Sequence, residues 1–80
     1  MTTERITINP KIFNGKPCIR GTRITVTMIL DLLEDGLSFD AILKDYYPQL
    51  TTDDLKACIE YARAVVEGEE IQFAERPLAA

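Results

Sequence analysis

Four cations, Lys11, Lys16, Arg20 and Arg23, stand in the segment NPKIFNGKPCIRGTRITV at residues 9–26, which contains no acid. Ammonium and guanidinium groups gathered in this way suit phosphate oxygens, and the two arginines also suit guanine edges, which offer a pair of acceptors to a bidentate donor. Lys56 and Arg63, on the outward side of a later helical stretch, are second choices for reaching bases. Covalent catalysis finds little to work with. The chain has no histidine, its one serine, Ser38, falls at a helix start, and neither Cys18 nor Cys58 has an evident acid–base partner. The two cysteines lie forty positions apart, outside the usual metal-ligand spacings. Gly15 and Lys16 suggest a phosphate loop only until the pattern is extended, because Pro10 and Pro17 occupy the places of its first glycine and its hydroxyl residue. The expectation is a binding protein, not an enzyme, with no metal and no cofactor.

Overall charge argues against nucleic acid, and its distribution argues the other way. The 80 residues carry a net charge of −4. Residues 1–24 hold five bases and one acid, a net +4, whereas residues 25–80 hold four bases and twelve acids, a net −8. A basic end on an acidic body is either a docking surface for an anionic partner or a solvated face. A chain of this length makes one domain that buries only about 60–65% of its unfolded surface, so burial against a partner would add to a modest core. The N-terminus MTTERITINP has no apolar core of a signal peptide, and no apolar run approaches the ~20 residues of a membrane span. With two cysteines allowing at most one disulfide, the chain reads as reduced, soluble and cytoplasmic, with no membrane partner.

The cations must be positioned by a turn-rich ribbon, since Pro10 and Pro17 forbid a helix through them. Ile6, Thr7 and Ile8 alternate as a short edge strand, and Cys18 and Ile19 can pair with Arg23 and Ile24 across a Gly21-Thr22 turn; Asn14-Gly15 is a second tight turn. Such a ribbon, spanning residues 5–24, is marginal alone and invites edge-to-edge pairing of two copies, the first place to expect a homodimer. Thr25 then caps a helix at about 26–35 with a core stripe of Val26, Ile29, Leu30 and Leu33, ended by Gly36. Ser38 caps a second helix at 39–46, with Phe39, Ile42, Leu43 and Tyr46 inward, and Pro48 prevents its extension. A third helix at 52–67 opens on Thr51 and Asp54 at capping-box spacing, with Leu50 and Leu55 as staple; Leu55, Ile59, Ala62 and Val66 are its expected core stripe, and Gly68 its stop. A second small or apolar stripe, Ala57, Tyr61, Ala64 and Val65, meets either the first helix or a partner protein. The tail at 69–80 places Ile71 and Phe73 at strand spacing, as a segment that folds on a partner or simply frays.

The stretch GKPCIRGTRITV, an apolar helix after it, and DGLSFDAILKDYYPQLTTDDLKACIEYA together resemble the small bacterial proteins grouped as domain of unknown function 433, over roughly residues 6–64. The resemblance implies a mainly α fold: a three-helix, homeodomain-like or winged helix-turn-helix bundle with a short N-terminal β-ribbon, forming one domain over residues 1–68. It also implies an antitoxin that neutralises a PIN-type ribonuclease toxin and, by binding operator DNA, represses its own operon. Asp53 and Asp54 in the first turn of the third helix would lie close to phosphates, which weighs against conventional insertion in the major groove and favours the ribbon cations. Tyr61, Val65, Ile71 and Phe73 are the residues expected to meet the toxin. The competing readings are a homodimeric interaction module whose ribbon cations pair with acids of the body, and a stand-alone transcription regulator.

Overall fold

In the computed structural model, residues 4–11 and 13–68 are described. A two-stranded antiparallel sheet, β1 (Ile6–Thr7) and β2 (Cys18–Ile19), precedes three helices: α1 (Val26–Glu34), α2 (Phe39–Ala41) with a π-helical continuation (Ile42–Tyr46), and α3 (Thr52–Glu67). The register pairs Ile6 with Ile19 and Thr7 with Cys18. On its other side β2 meets the chain that leads into α1: Cys18 bridges to Thr25, the Ile19 N–H donates to the Ile24 carbonyl (2.9 Å), and the Val26 N–H to the Pro17 carbonyl (2.9 Å). The pairing expected for residues 23 and 24 therefore falls one residue later.

Both expected turns form, with one displaced. The Lys16 N–H closes on the Phe13 carbonyl (3.1 Å) around Asn14 (φ 57°, ψ 33°) and Gly15 (φ 85°), the left-handed pair of a type I′ turn. In the other turn the Thr22 N–H closes on the Ile19 carbonyl (3.0 Å), which puts Arg20 and Gly21 at its centre instead of Gly21 and Thr22. Gly21, at φ 81°, takes the third turn position, where a positive φ suits glycine. The Thr22 hydroxyl donates to the same Ile19 carbonyl (2.8 Å) and accepts from the Ile24 N–H (3.0 Å), fastening the loop to the strand.

All three expected N-caps are present. The hydroxyls of Thr25, Ser38 and Thr51 accept from the N–H groups of Met28, Ala41 and Asp54 at 3.1, 3.1 and 3.3 Å. The Thr51 box is reciprocal, because the Asp54 carboxylate accepts from the Thr51 N–H at 2.9 Å. α1 ends in a Schellman motif: the Leu37 N–H reaches the Leu32 carbonyl (3.1 Å) and the Gly36 N–H the Leu33 carbonyl (2.9 Å).

Two core assignments differ from the periodic reading. In the second helical segment Tyr46 is 50% exposed and Tyr47 packs on the core instead. The chain widens there, with the Tyr47 N–H bonded to the Ile42 carbonyl five residues back (2.8 Å), and the extra residue in that turn carries Tyr46 outward. In α3 the buried residues are Leu55, Ala57, Cys58 and Ala64, with Tyr61 packed beside them, while Ile59 is 42% and Val66 85% exposed. The inner face is thus rotated by roughly a third of a turn from the stripe of Leu55, Ile59, Ala62 and Val66. α3 packs against α1 and β1 together, and the small side chains of Ala57 and Ala64 let backbones approach where isoleucine or valine would hold them apart. The alanine, tyrosine and valine stripe is the inner side of this helix, and its meeting with the first helix is the alternative the packing favours.

Ile29, Ile42, Leu55 and Cys58 are fully buried at the centre, joined from the ribbon side by Ile6, Ile19, Ile24 and Val26. Both cysteines are buried and free, Cys18 with its thiol on the Lys16 carbonyl (3.3 Å). Burial, with the Asp54 carboxylate adding to it, pushes the Cys58 thiol up from 9.0 to about 12. Its folded-state value is raised, so below pH 9 both states keep the proton and the thiol has no effect on stability. Above that the unfolded chain ionises first, and stability falls as pH rises towards 12. Urea midpoints of the wild type should therefore drop more steeply between pH 9 and 12 than those of Cys58→Ala; parallel profiles would show that the thiol titrates normally. Ala64→Leu should cost about 1–3 kcal/mol by overpacking, and an unchanged urea midpoint would instead return Ala64 to the surface.

Candidate functional site

Arg20 and Arg23 flank the Gly21 turn, and both are exposed. Arg20 is held at its base: its N–H donates to the Arg5 carbonyl (2.7 Å) and its Nε to the Glu4 carbonyl. Those bonds hold the Arg20 side chain against the residues that enter β1. Arg20, Arg23, Thr7, Asn9 and Thr22 line a cleft of about 440 Å³, and no carboxylate is among its lining residues. Two positive groups, the Thr7 hydroxyl and the Asn9 amide NH2 facing one volume suit an anion's oxygens, while the Thr22 hydroxyl proton is committed to the Ile19 carbonyl.

A second cleft, of about 710 Å³, lies between the ribbon and α3, and Arg20 borders it too. Here the charges balance, with Arg5, Arg20 and Lys56 against Glu4, Asp53 and Glu60. A third, of about 380 Å³, runs along α3 between Lys56, Ile59, Glu60 and Arg63. Arg20 is shared by the first two clefts and Lys56 by the last two, so four of the six expected nucleic-acid residues border one continuous surface in the order Arg23, Arg20, Lys56, Arg63. Lys11 and Lys16 are exposed on the loop around the Asn14-Gly15 turn and border none of the three. The Asn9 side chain accepts the Lys11 N–H (2.8 Å), which orders the start of that loop after Thr7.

Arg5 has a role the sequence reading did not assign. Its Nη1 lies 2.9 Å from Asp54 Oδ1 and its Nη2 3.7 Å from Asp53 Oδ2. One guanidinium thus offsets the acids that weighed against phosphate near α3, and it ties β1 to the helix N-terminus. The only sequence signal was the capping-box aspartate; a partner 49 positions away leaves no local pattern. The pairing of ribbon cations with body acids occurs at Arg5. Among the described residues Arg20, Arg23, Lys11 and Lys16 form no ion pair. Arg63 pairs with Glu67 one turn on, Nη1 to Oε1 at 3.0 Å, as its helical spacing predicts.

Of the residues expected to meet a toxin, Tyr61 packs on the core and Val65 is half-buried, while Ile71 and Phe73 lie outside the described residues. Among the described residues no three His, Cys, Asp or Glu side chains gather as a metal site, and no helix is long and apolar enough to cross a membrane.

Residues 6–62 match the family model described as protein of unknown function (DUF433). The fold is similar to the crystal structure of a DUF433 member protein from Anabaena variabilis ATCC 29413, with 32% sequence identity and a TM-score of 0.73. The match covers 82% of this chain and 64% of that protein, so the chain spans a little under two thirds of its relative's length. No curated protein matches. The family match takes in the ribbon, both turns, all three N-caps and most of α3, and the chain belongs to the DUF433 family.

Proposed function

We propose that this protein is the antitoxin-like, DNA-binding half of a bacterial toxin–antitoxin pair, acting by binding and not by catalysis. The observation that carries the DNA-binding part is the acid-free cleft between the exposed guanidiniums of Arg20 and Arg23. Its position at a tight turn, with Arg20 anchored through backbone carbonyls, presents a preorganised fork to a phosphate or a guanine edge. Element order supports a helix-turn-helix reading. α1 precedes the second helical segment, the connection to α3 closes by the Leu50 N–H on the Tyr47 carbonyl (3.0 Å), and Pro48 sits within it. In this reading Arg20 and Arg23 are the principal contacts, and the ribbon, not the first turn of α3, approaches the duplex. The toxin, a PIN-type ribonuclease, and repression of the operon follow from family resemblance.

Duplex DNA from the region upstream of the protein's own gene, titrated by fluorescence anisotropy at stepped salt, tests the interface. Arg20→Glu with Arg23→Glu should weaken binding by more than tenfold and lower the salt slope by about two, with circular dichroism unchanged. Equal affinity of variant and wild type removes the ribbon from the interface. For the toxin, a tagged protein drawn from nuclease-treated lysate of its native host should bring down one small partner in near-equal amount; recovery of bait alone leaves a stand-alone regulator.

A further inference from the structure

We infer that the exposed face of α3 is a self-complementary interface for an antiparallel second copy of this chain. α3 carries two apolar stripes: Leu55, Ala57, Cys58, Tyr61 and Ala64 face the molecule's own core, and Ile59 and Val66 are left at the surface, at 42% and 85% exposure. Beside them on the outer side lie Lys56, Glu60, Arg63 and Glu67, alternating in sign at helical spacing, with Arg63 and Glu67 also paired along their own helix at 3.0 Å.

That charge row identifies the partner. When a second α3 is laid antiparallel with the two-fold axis between Tyr61 and Ala62, Lys56 falls opposite the other copy's Glu67 and Glu60 opposite its Arg63. The same two pairings repeat on the far side of the axis, giving four directly opposed opposite-sign contacts, with the like-sign Glu60 pair and the like-sign Arg63 pair each displaced by about 4.5 Å along the axis. In antiparallel helices the flanking rows face their own counterparts, as this pattern requires. The same register brings Ile59 of one copy within about 3 Å, along the axis, of Val66 of the other, so the apolar residues cover each other at the centre. A parallel arrangement would turn the charge row towards the partner's opposite flank and lose these contacts.

The sheet offers a weaker route to a dimer. β1 has two residues, and β2 is already bonded on both sides, so an edge-to-edge ribbon would add few backbone bonds. Pairing through α3 assigns Lys56 and Arg63 to the subunit contact and leaves Arg20 and Arg23, at the other end of the shared surface, exposed in each copy. The inference is independent of whether those arginines bind DNA.

Sedimentation equilibrium on the full chain tests it with two charge-reversed variants. The wild type should show twice the 9.0 kDa chain mass. Lys56→Glu with Arg63→Glu makes the row wholly acidic, and Glu60→Lys with Glu67→Lys makes it wholly basic; each alone should fall to the single-chain mass while circular dichroism stays helical. An equimolar mixture of the two should regain the doubled mass. Ile59→Glu, which leaves the charge row intact, should also give single chains. A wild type of single-chain mass, variants that stay paired, or a mixture that fails to re-pair each overturns the inference.

Discussion

The rest of the molecule depends on two residues of extended chain. Cys18 and Ile19 are buried and paired on both sides, with Thr7 and Ile6 of β1 and with the segment entering α1, where the Ile19 N–H donates to the Ile24 carbonyl and the Pro17 carbonyl accepts from the Val26 N–H. A strand this short is not stable by itself. It persists because both its side chains lie in the core and because its outer neighbours are fixed, one by the Thr25 cap of α1 and the other by Arg5 on α3. The Gly21 loop and its arginines leave this strand directly, so their direction is set by the core.

The second constraint is the Asp54 carboxylate. It accepts from the Thr51 N–H, completing the cap of α3, and lies 2.9 Å from the Arg5 guanidinium, joining the first strand to the last helix. Each contact is modest, and a surface ion pair alone contributes at most about 1 kcal/mol. Their geometric consequence is larger: they fix which side of α3 meets the ribbon, and therefore that Arg20 and Lys56 border one cleft while Ile59 and Val66 turn outward. An acidic body and a basic ribbon are thereby joined without neutralising the two arginines of the Gly21 loop.

Local chemistry was legible in the residues. Thr25, Ser38 and Thr51 as caps, the Asn14-Gly15 turn, Gly36 and Gly68 as helix ends, and the bounds of the third helix all follow from interactions within a few positions of the chain. So did the exposure of Arg20 and Arg23, because a charged, turn-rich segment has no means of burying its cations. The π-helical turn was not legible, since Ile42, Leu43 and Tyr46 fit an ordinary α-helical period as well as the observed one. Nor was the displacement of the Gly21 turn, where either placement satisfies the glycine.

The sequence by itself determined the elements, their caps and the segregation of charge, because these rest on backbone conformation and near neighbours. Only the tertiary structure decided which of two apolar stripes on α3 faces inward. Periodicity favours the bulkier one, with Ile59 and Val66, but a helix packed at once on α1 and β1 needs the small side chains of Ala57 and Ala64 at its contacts. Only the tertiary structure, likewise, placed Arg5 against Asp54 and set the ribbon cations beside those of the helix. Contacts between residues far apart in the chain depend on how close two backbones can come, and no local pattern records that distance.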